Sequence, residues 1–422
     1  MFQPPAHSAP PRSERGILFL IGAVQFVNIL DFMMVMPLGP DFGLKLGIPN
    51  SHIGWIGGAY TGAAAISGIV ASLFLDRFDR RKALAVAMLG LVIGTAAGGF
   101  ATGLNSLMAA RVAAGAFGGP ATSISLSIIA DVIPPARRGR AMGAVMAAFS
   151  VASVIGVPAG LELARWAGWR APFFCVAALG FVVAAGAVFL MPVMKGHLAH
   201  PRPAGSGVLA VFGDPAALAA LLAVATVYSA AFMVIPNISP FLQFNYGYPR
   251  AHLGWLYMAG GALSFLAMPA IGRLVDRFGP PPVSTIGTLL FVAVLWFGFS
   301  KPGPLPVMLV FVGFMLGMSF RNVPMTSLST RVPLPHQRAG FMSAQSAIQH
   351  LAASVGAALS SSLLLEAPDR SLVGMARVVL IAIGLALALP VLISIVYGRV
   401  KRREAAEAHR EIPADPEPVP QR

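Results

Sequence analysis

The chain has 422 residues, 56% of them hydrophobic and 11% charged, a balance that excludes the charged surface a soluble protein of this length needs. Its formal charge of +14 would point to nucleic acid if the basic residues shared one domain, but they are spread along the chain. The apolar runs are long enough to cross a bilayer, which takes about 20 residues per helix, so a polytopic all-α membrane protein is predicted.

Twelve spans are predicted, at 16–39, 52–75, 82–102, 106–130, 140–163, 170–192, 215–240, 252–274, 283–300, 304–328, 340–364 and 374–397. The Pro-rich stretch 1–15 is expected to be a disordered tail, and the first run continues without a small-residue cleavage site, so it reads as a retained span. Within that span Gln25, Asn28 and Asp31 recur at intervals of three and share a slowly turning face. A polar stripe in lipid must face protein or water.

The second span opens at IPNSHIGW and carries Gly57, Gly58, Gly62 and Gly68, which allow close approach of a neighbouring helix. The turn that follows, SLFLDRFDRRK, holds Asp76, Arg77, Arg80 and Arg81. The fourth span holds Arg111 and ends at Asp131. The fifth contains Gly156, Pro158 and Gly160, where the proline frees a carbonyl and predicts a bend. Cys175 has no second cysteine to pair with and reads as a small apolar residue.

Residues 193–213 are polar and rich in Pro and Gly, a linker between an N-terminal six-helix bundle, 16–192, and a C-terminal one, 214–397. The second half repeats the first at an offset of 200: His52, Gly54 and Trp55 meet His252, Gly254 and Trp255, and Asp76-Arg77-Phe78 meets Asp276-Arg277-Phe278. Position 231, opposite Asp31, is Ala, and position 311, opposite Arg111, is Phe. The polar content of this half sits in Arg321 and Asn322 of the tenth span and in Gln345, Gln349 and His350 of the eleventh. Residues 398–422 are basic, then acidic and Pro-rich, and are expected to be a disordered tail next to anionic headgroups.

Sorted by this map, 21 of the 30 Lys and Arg fall on the side of the termini and 7 on the other, with Arg111 and Arg321 inside spans. The positive-inside bias then predicts cytoplasmic termini, and no nucleic-acid partner is needed to explain the charge.

Asp31 lies about 22 Å from the cytoplasmic edge, and Arg111 about 7–8 Å from the opposite edge, so in a layer of about 30 Å they share one depth. Burial favours the neutral acid and a nearby cation the carboxylate, the balance that proton coupling requires. A static structural pair is the other reading. His350 falls near the midplane of its span, as a packing residue or a proton or substrate group. Arg321 lies nearer the cytoplasmic edge and is expected to snorkel. Gln25, Asn28, Tyr60, Tyr228, Tyr257, Gln345 and Gln349 are candidates for lining a cavity; for the tyrosines, aromatic packing is the alternative. Asp76 is either a solvated loop charge or an acid that latches to a neighbouring helix in one state. There is no G-x-x-x-x-G-K-[ST] loop, paired-Cys or H-E-x-x-H metal motif, or G-x-S-x-G elbow, so no enzyme is predicted.

Two six-helix halves in parallel repeat, each with an Asp-Arg turn between its second and third spans, resemble the major facilitator superfamily over residues 16–397. The family's turn reads G-x-L-a-D-R-x-G-R-K/R. The second copy keeps Gly272, Leu274, Asp276, Arg277 and Gly279; the first keeps Asp76, Arg77, Arg80 and Arg81 but has Ser72 and Asp79 in place of glycines. Arg111 with Gly115 and Gly118 is similar to the fourth-helix motif, and Gly156, Pro158 and Gly160 to a partial fifth-helix antiporter motif, with Val157 where glycine precedes the proline. Asp31 in LDFMMVMP resembles the first-helix acid of the drug/proton antiporter branch.

The resemblance implies a secondary active transporter of the bacterial inner membrane, exporting a small organic molecule or drug by alternating access. Proton coupling would run through Asp31, Arg111 and His350, and gating through Asp76, Arg77, Arg80, Arg81, Asp276 and Arg277. Its partners would be solute, protons and membrane lipid, with the proton gradient in place of a cofactor, no metal, and a monomeric state. A proton-coupled importer, a uniporter of sugars or metabolites, and a non-transporting sensor are the alternatives.

Overall fold

The computed structural model describes residues 11–74, 77–134, 137, 141, 143, 145, 148–194, 211, 213–333 and 338–411; at 11–13, 72–74, 130, 338–339 and 407–411 it describes the backbone alone. Asp76 and nearly all of the linker lie outside the described residues.

The N-terminal half comprises α1 (Pro11–Val35), α2 (Gly39–Leu46), α3 (Ile53–Phe74), α4 (Arg80–Gly99), α5 (Leu104–Val132), α6 (Ala148–Ala167) and α7 (Ala171–Leu190). The C-terminal half comprises α8 (Pro215–Pro240), α9 (Leu253–Phe278), α10 (Pro280–Val294), α11 (Val307–Ser329), α12 (Arg338–Leu363) and α13 (Met375–Glu411). All but α2 correspond to predicted spans, and the all-α, twelve-span architecture stands. Among the described residues, eleven helices are long and apolar enough to cross a membrane. The twelfth, α12, has the length, but Gln345, Gln349, His350 and a string of serines lower its mean hydropathy.

Two elements were not expected. Helix α2 lies between the first two spans; it starts with Pro40 in its first turn and ends at Gly47, whose φ of 65° a side chain would disfavour. Its Phe42 is fully buried against Trp169 and Phe173, which pins the segment to the bundle. The other is a hairpin, β1 (Leu365–Glu366) against β2 (Leu372–Val373), before the last helix. Some boundaries also move. Helix α1 already starts at Pro11, α6 runs to Ala167, and α13 continues past 397 to Glu411, where the sequence predicted a tail.

Inside α6, residues Ala152–Gly156 form a π turn, with the Val157 amide bonded to the Ala152 carbonyl. Pro158 has no amide to donate, so the ladder is interrupted at that point and the wider turn accommodates it.

The repeat extends to packing. A Cβ on Gly156 would lie 2.7 Å from the Leu30 side chain, and one on Gly356 would lie 2.4 Å from the Ser229 carbonyl oxygen, so the fifth span meets the first as the eleventh meets the seventh. The halves join through the same exchange. Gly54 of α3 closes on Ala357 of α12, with a Cβ there only 2.2 Å from the carbonyl oxygen, while Gly254 of α9 faces Pro158 of α6. Ser354 Oγ also donates to the Gly58 carbonyl at 2.8 Å.

On the side away from the termini the halves are tied together. Arg250 pairs with Asp41 at 2.8 Å, the Asn50 amide donates to Glu366, Asn50 Nδ2 donates to the Arg370 carbonyl at 3.2 Å, and Ser239 Oγ donates to the Pro37 carbonyl at 2.9 Å. Toward the termini, Ile69, Met268 and Ser343 continue the helix faces that meet, and they are exposed. Among the described residues, these polar ties between the halves lie at one end of the spans.

Candidate functional site

Asp31 on α1 and Arg111 on α5 are both fully buried and form a two-pronged ion pair, Nη1 to Oδ2 at 3.0 Å and Nη2 to Oδ1 at 3.2 Å. Nη1 also reaches the Asp31 carbonyl at 3.4 Å, and Thr95 of α4 donates its hydroxyl to Oδ1 at 2.7 Å. The guanidinium lies 5.7 Å from the Tyr60 ring and 5.5 Å from the Phe173 ring. Gly98 makes room for this arrangement, because a Cβ there would press on Phe173. The equal depths predicted for the acid and the base become contact. In a medium of low dielectric each charge alone is costly, and only the paired, hydrogen-bonded set is tolerable.

A neutral network continues from the pair along α1. Asn28 Nδ2 donates to the Gly118 carbonyl at 2.8 Å and to Thr122 Oγ1 at 2.7 Å, and Tyr60 donates its hydroxyl to Asn28 Oδ1 at 2.5 Å. Thr122 Oγ1 donates in turn to Gln25 Oε1 at 3.3 Å. The structure thus joins Gln25, Asn28 and Tyr60, and adds Thr95, Thr122 and Phe173, which the sequence reading missed. Thr122 had a signal: it lies eleven residues, three full turns, beyond Arg111 on the same helix face. Thr95 and Phe173 had none.

An aromatic line crosses from one half to the other. Tyr60 meets Phe32 at 5.3 Å, Phe32 meets Phe232 at 5.7 Å, and Phe232 stacks on Tyr228 at 6.4 Å. Tyr257 does not join it; it is buried edge-on against Phe311 at 4.8 Å. On α12, Gln345 is buried with its Oε1 unpartnered among the described residues, while Gln349 and His350 are half-buried. Among the described residues, none of the three hydrogen-bonds or pairs with Asp31 or Arg111.

The expectation that Arg321 snorkels is overturned. Its side chain is fully buried over the Phe291 ring at 4.2 Å, and Nε, Nη1 and Nη2 have no partner among the described residues. Depth along a helix is legible in sequence, but the direction of a side chain is not, and here α10 packs closely enough on α11 to hold the guanidinium inside.

At the first charged turn, Asp79 caps α4 by accepting from the Arg81 amide at 2.9 Å and also accepts from the Met194 amide at 3.3 Å. Arg80 pairs with Asp131 at 2.5 Å, and Arg81 donates to the Met191 carbonyl at 3.3 Å. The turn therefore binds the ends of α5 and α7 within its own half; Arg77 is exposed. In the second turn Asp276 and Arg277 are exposed, with Arg277 over the Phe278 ring at 5.2 Å. Gly156, Pro158 and Gly160 place α6 against Leu30, Gly254 and Met34 respectively.

Comparison with known proteins agrees in kind. The family model described as Major Facilitator Superfamily matches residues 21–238 and 220–420. A chloramphenicol resistance protein of Streptomyces lividans is 28% identical over 302 residues, 71% of this chain and 76% of that one. The purine ribonucleoside efflux pump NepI of Escherichia coli O6:K15:H31 is 23% identical over 357 residues, 82% of this chain and 85% of that one. Among solved structures, a bacterial homolog to the human lysosomal transporter Spinster, inward-facing and occupied, superposes with a TM-score of 0.71 at 17% identity, covering 93% of this chain and 98% of the other. The nucleoside transporter NupG, in a mutant form, gives 0.69 at 14%, covering 90% and 100%.

Proposed function

We propose that this chain, which belongs to the Major Facilitator Superfamily and is a multi-pass membrane transporter rather than an enzyme, exports a small organic molecule in exchange for protons. It works by alternating access in a bacterial inner membrane, as a monomer with both termini cytoplasmic. The observation that carries the coupling is the Asp31–Arg111 pair: an acid with both oxygens engaged, inside a span, whose protonation removes the charge that holds Arg111.

The proposed sequence follows from that linkage. A proton arriving on Asp31 breaks the two-pronged pair, and the freed α1 and α5 shift the amide and hydroxyl network of Gln25, Asn28, Tyr60 and Thr122 that lies one to two turns away. Solute and proton thereby compete for one set of side chains. Amide and hydroxyl groups beside the Tyr60–Phe32–Phe232–Tyr228 line suit a neutral ring-bearing solute with hydroxyl or amide groups. The relatives named for chloramphenicol resistance and for purine ribonucleoside efflux support that class and the outward direction. The ties on the side away from the termini form the outer gate, which must open for release.

Flux into proteoliposomes of known orientation tests the reading, with labelled chloramphenicol and inosine as probes and an imposed pH gradient. Accumulation of either against its gradient, opposite to proton flow, is expected. Accumulation along proton flow means an importer, flux indifferent to the gradient a uniporter, and no flux a sensor; each would contradict the proposal.

A further inference from the structure

Arg321 sits eight residues, about 12 Å, from the inner end of α11 and is fully enclosed. Its guanidinium carries five N–H donors, and none has an acceptor among the described residues. Buried polar groups are almost always hydrogen-bonded, and the Phe291 ring face at 4.2 Å attracts the charge but supplies no oxygen or nitrogen acceptor. Helices α10 and α11 approach in a register that places Gly287 against Phe320 and Gly317 against Phe291, which sets Arg321 at the level of Thr288. Thr288 is on the same face of α10 as Phe291, one turn earlier; it is 1% exposed and its hydroxyl is also unpartnered.

The other bundle shows what such a set accommodates. There, a buried Arg against aromatic rings and a Thr hydroxyl on the adjacent helix converge on one carboxylate, Asp31. The C-terminal half has the Arg, the ring and the Thr, but its acids Asp214, Asp276, Glu366, Asp369 and Glu404 lie at helix ends or in the hairpin, and among the described residues none bonds to Arg321. Among the described residues no acceptor and no acid is paired with this charge. A water molecule could accept hydrogen bonds there but would leave the charge uncompensated; an anion does both.

We propose that Arg321 and Thr288 form a binding site for one compact monovalent anion, a halide or a carboxylate, inside the C-terminal bundle. The site is independent of the transported solute and of proton coupling through Asp31.

The test uses the purified full-length protein in neutral detergent, with chloride or formate replacing gluconate at constant ionic strength, and thermal unfolding read by tryptophan fluorescence. A saturable rise of about 2–4 °C is expected for the wild type. Thr288→Val should need about tenfold more anion for the same rise, and Arg321→Gln should give none. Arg321→Gln in gluconate alone should unfold no earlier than the wild type, which shows that the variant is folded. Response to chloride alone assigns a halide, to formate alone a carboxylate, and to both a site open to either. Bromide crystals give an independent readout, an anomalous peak within hydrogen-bond reach of the guanidinium. A flat wild-type response, or an unchanged response in Arg321→Gln, would overturn the proposal.

Discussion

The two bundles share a plan of packing and differ in how each treats a buried arginine. In the N-terminal bundle Arg111 meets Asp31, Thr95 and two aromatic rings, so its charge is neutralised within the protein. In the C-terminal bundle Arg321 is equally buried, has one ring beneath it and, among the described residues, meets no acid. A duplicated scaffold can therefore keep its helix contacts, Gly156 on Leu30 and Gly356 on Ser229, while the charge chemistry of its halves diverges. One half carries a closed ion pair; the other carries a cation that, on our proposal, takes a partner from outside.

The sharpest way to break this comparison is to neutralise each arginine. Arg111→Gln leaves Asp31 buried with its charge uncompensated and should cost about 3–5 kcal/mol, read as loss of unfolding temperature in detergent. The double variant Asp31→Asn with Arg111→Gln should recover most of it, since no lone charge remains. Arg321→Gln should show no such loss. Equal losses for Arg111→Gln and Arg321→Gln would mean that Arg321 is paired, and the contrast would fail.

A smaller effect probes the shared packing. Gly356→Ala drives a methyl group onto a backbone oxygen that cannot yield and should destabilise by about 1–3 kcal/mol. Gly156→Ala meets a Leu30 methyl that can rotate away, and should cost less in the same unfolding assay. The reverse order would mean that the two interfaces are not equivalent in the way the repeat implies.

The smallest effect is expected at the tie between halves. Asp41 and Arg250 are each about a quarter exposed, so a double-mutant cycle with alanine should give a coupling of about 0.2–1 kcal/mol. On the proposed alternating access, its larger consequence should be on transport rate, because the pair must part when the outer ends separate. No change in rate with either variant would remove the pair from the gate.

Much of this was legible in the sequence because the membrane imposes one-dimensional rules. Span length, charge bias and a 200-residue repeat are properties of the string, and rise per residue brought Asp31 and Arg111 to one depth before any contact was seen. What lay outside those rules was missed. Helix α2 and the hairpin are too short to register as hydropathy, and Phe42 is buried by tertiary contact alone. Thr95 enters the site from a helix whose sequence carries no polar stripe. For Arg321 depth was legible, but a side chain near the interface can turn outward or inward, and only the packing of Gly287 and Gly317 decides it.

The most direct measurement of the central claim is uphill transport by Asp31→Asn in proteoliposomes under an imposed pH gradient, beside solute exchange without a gradient. If Asp31 carries the proton, the variant should lose concentrative transport while keeping some downhill exchange, because the side chains of the Asn28–Tyr60–Thr122 network and of the Asp41–Arg250 tie are all still present. If Asp31→Asn still concentrates solute against its gradient, the proton site lies elsewhere, and His350, half-buried on α12, becomes the group to examine.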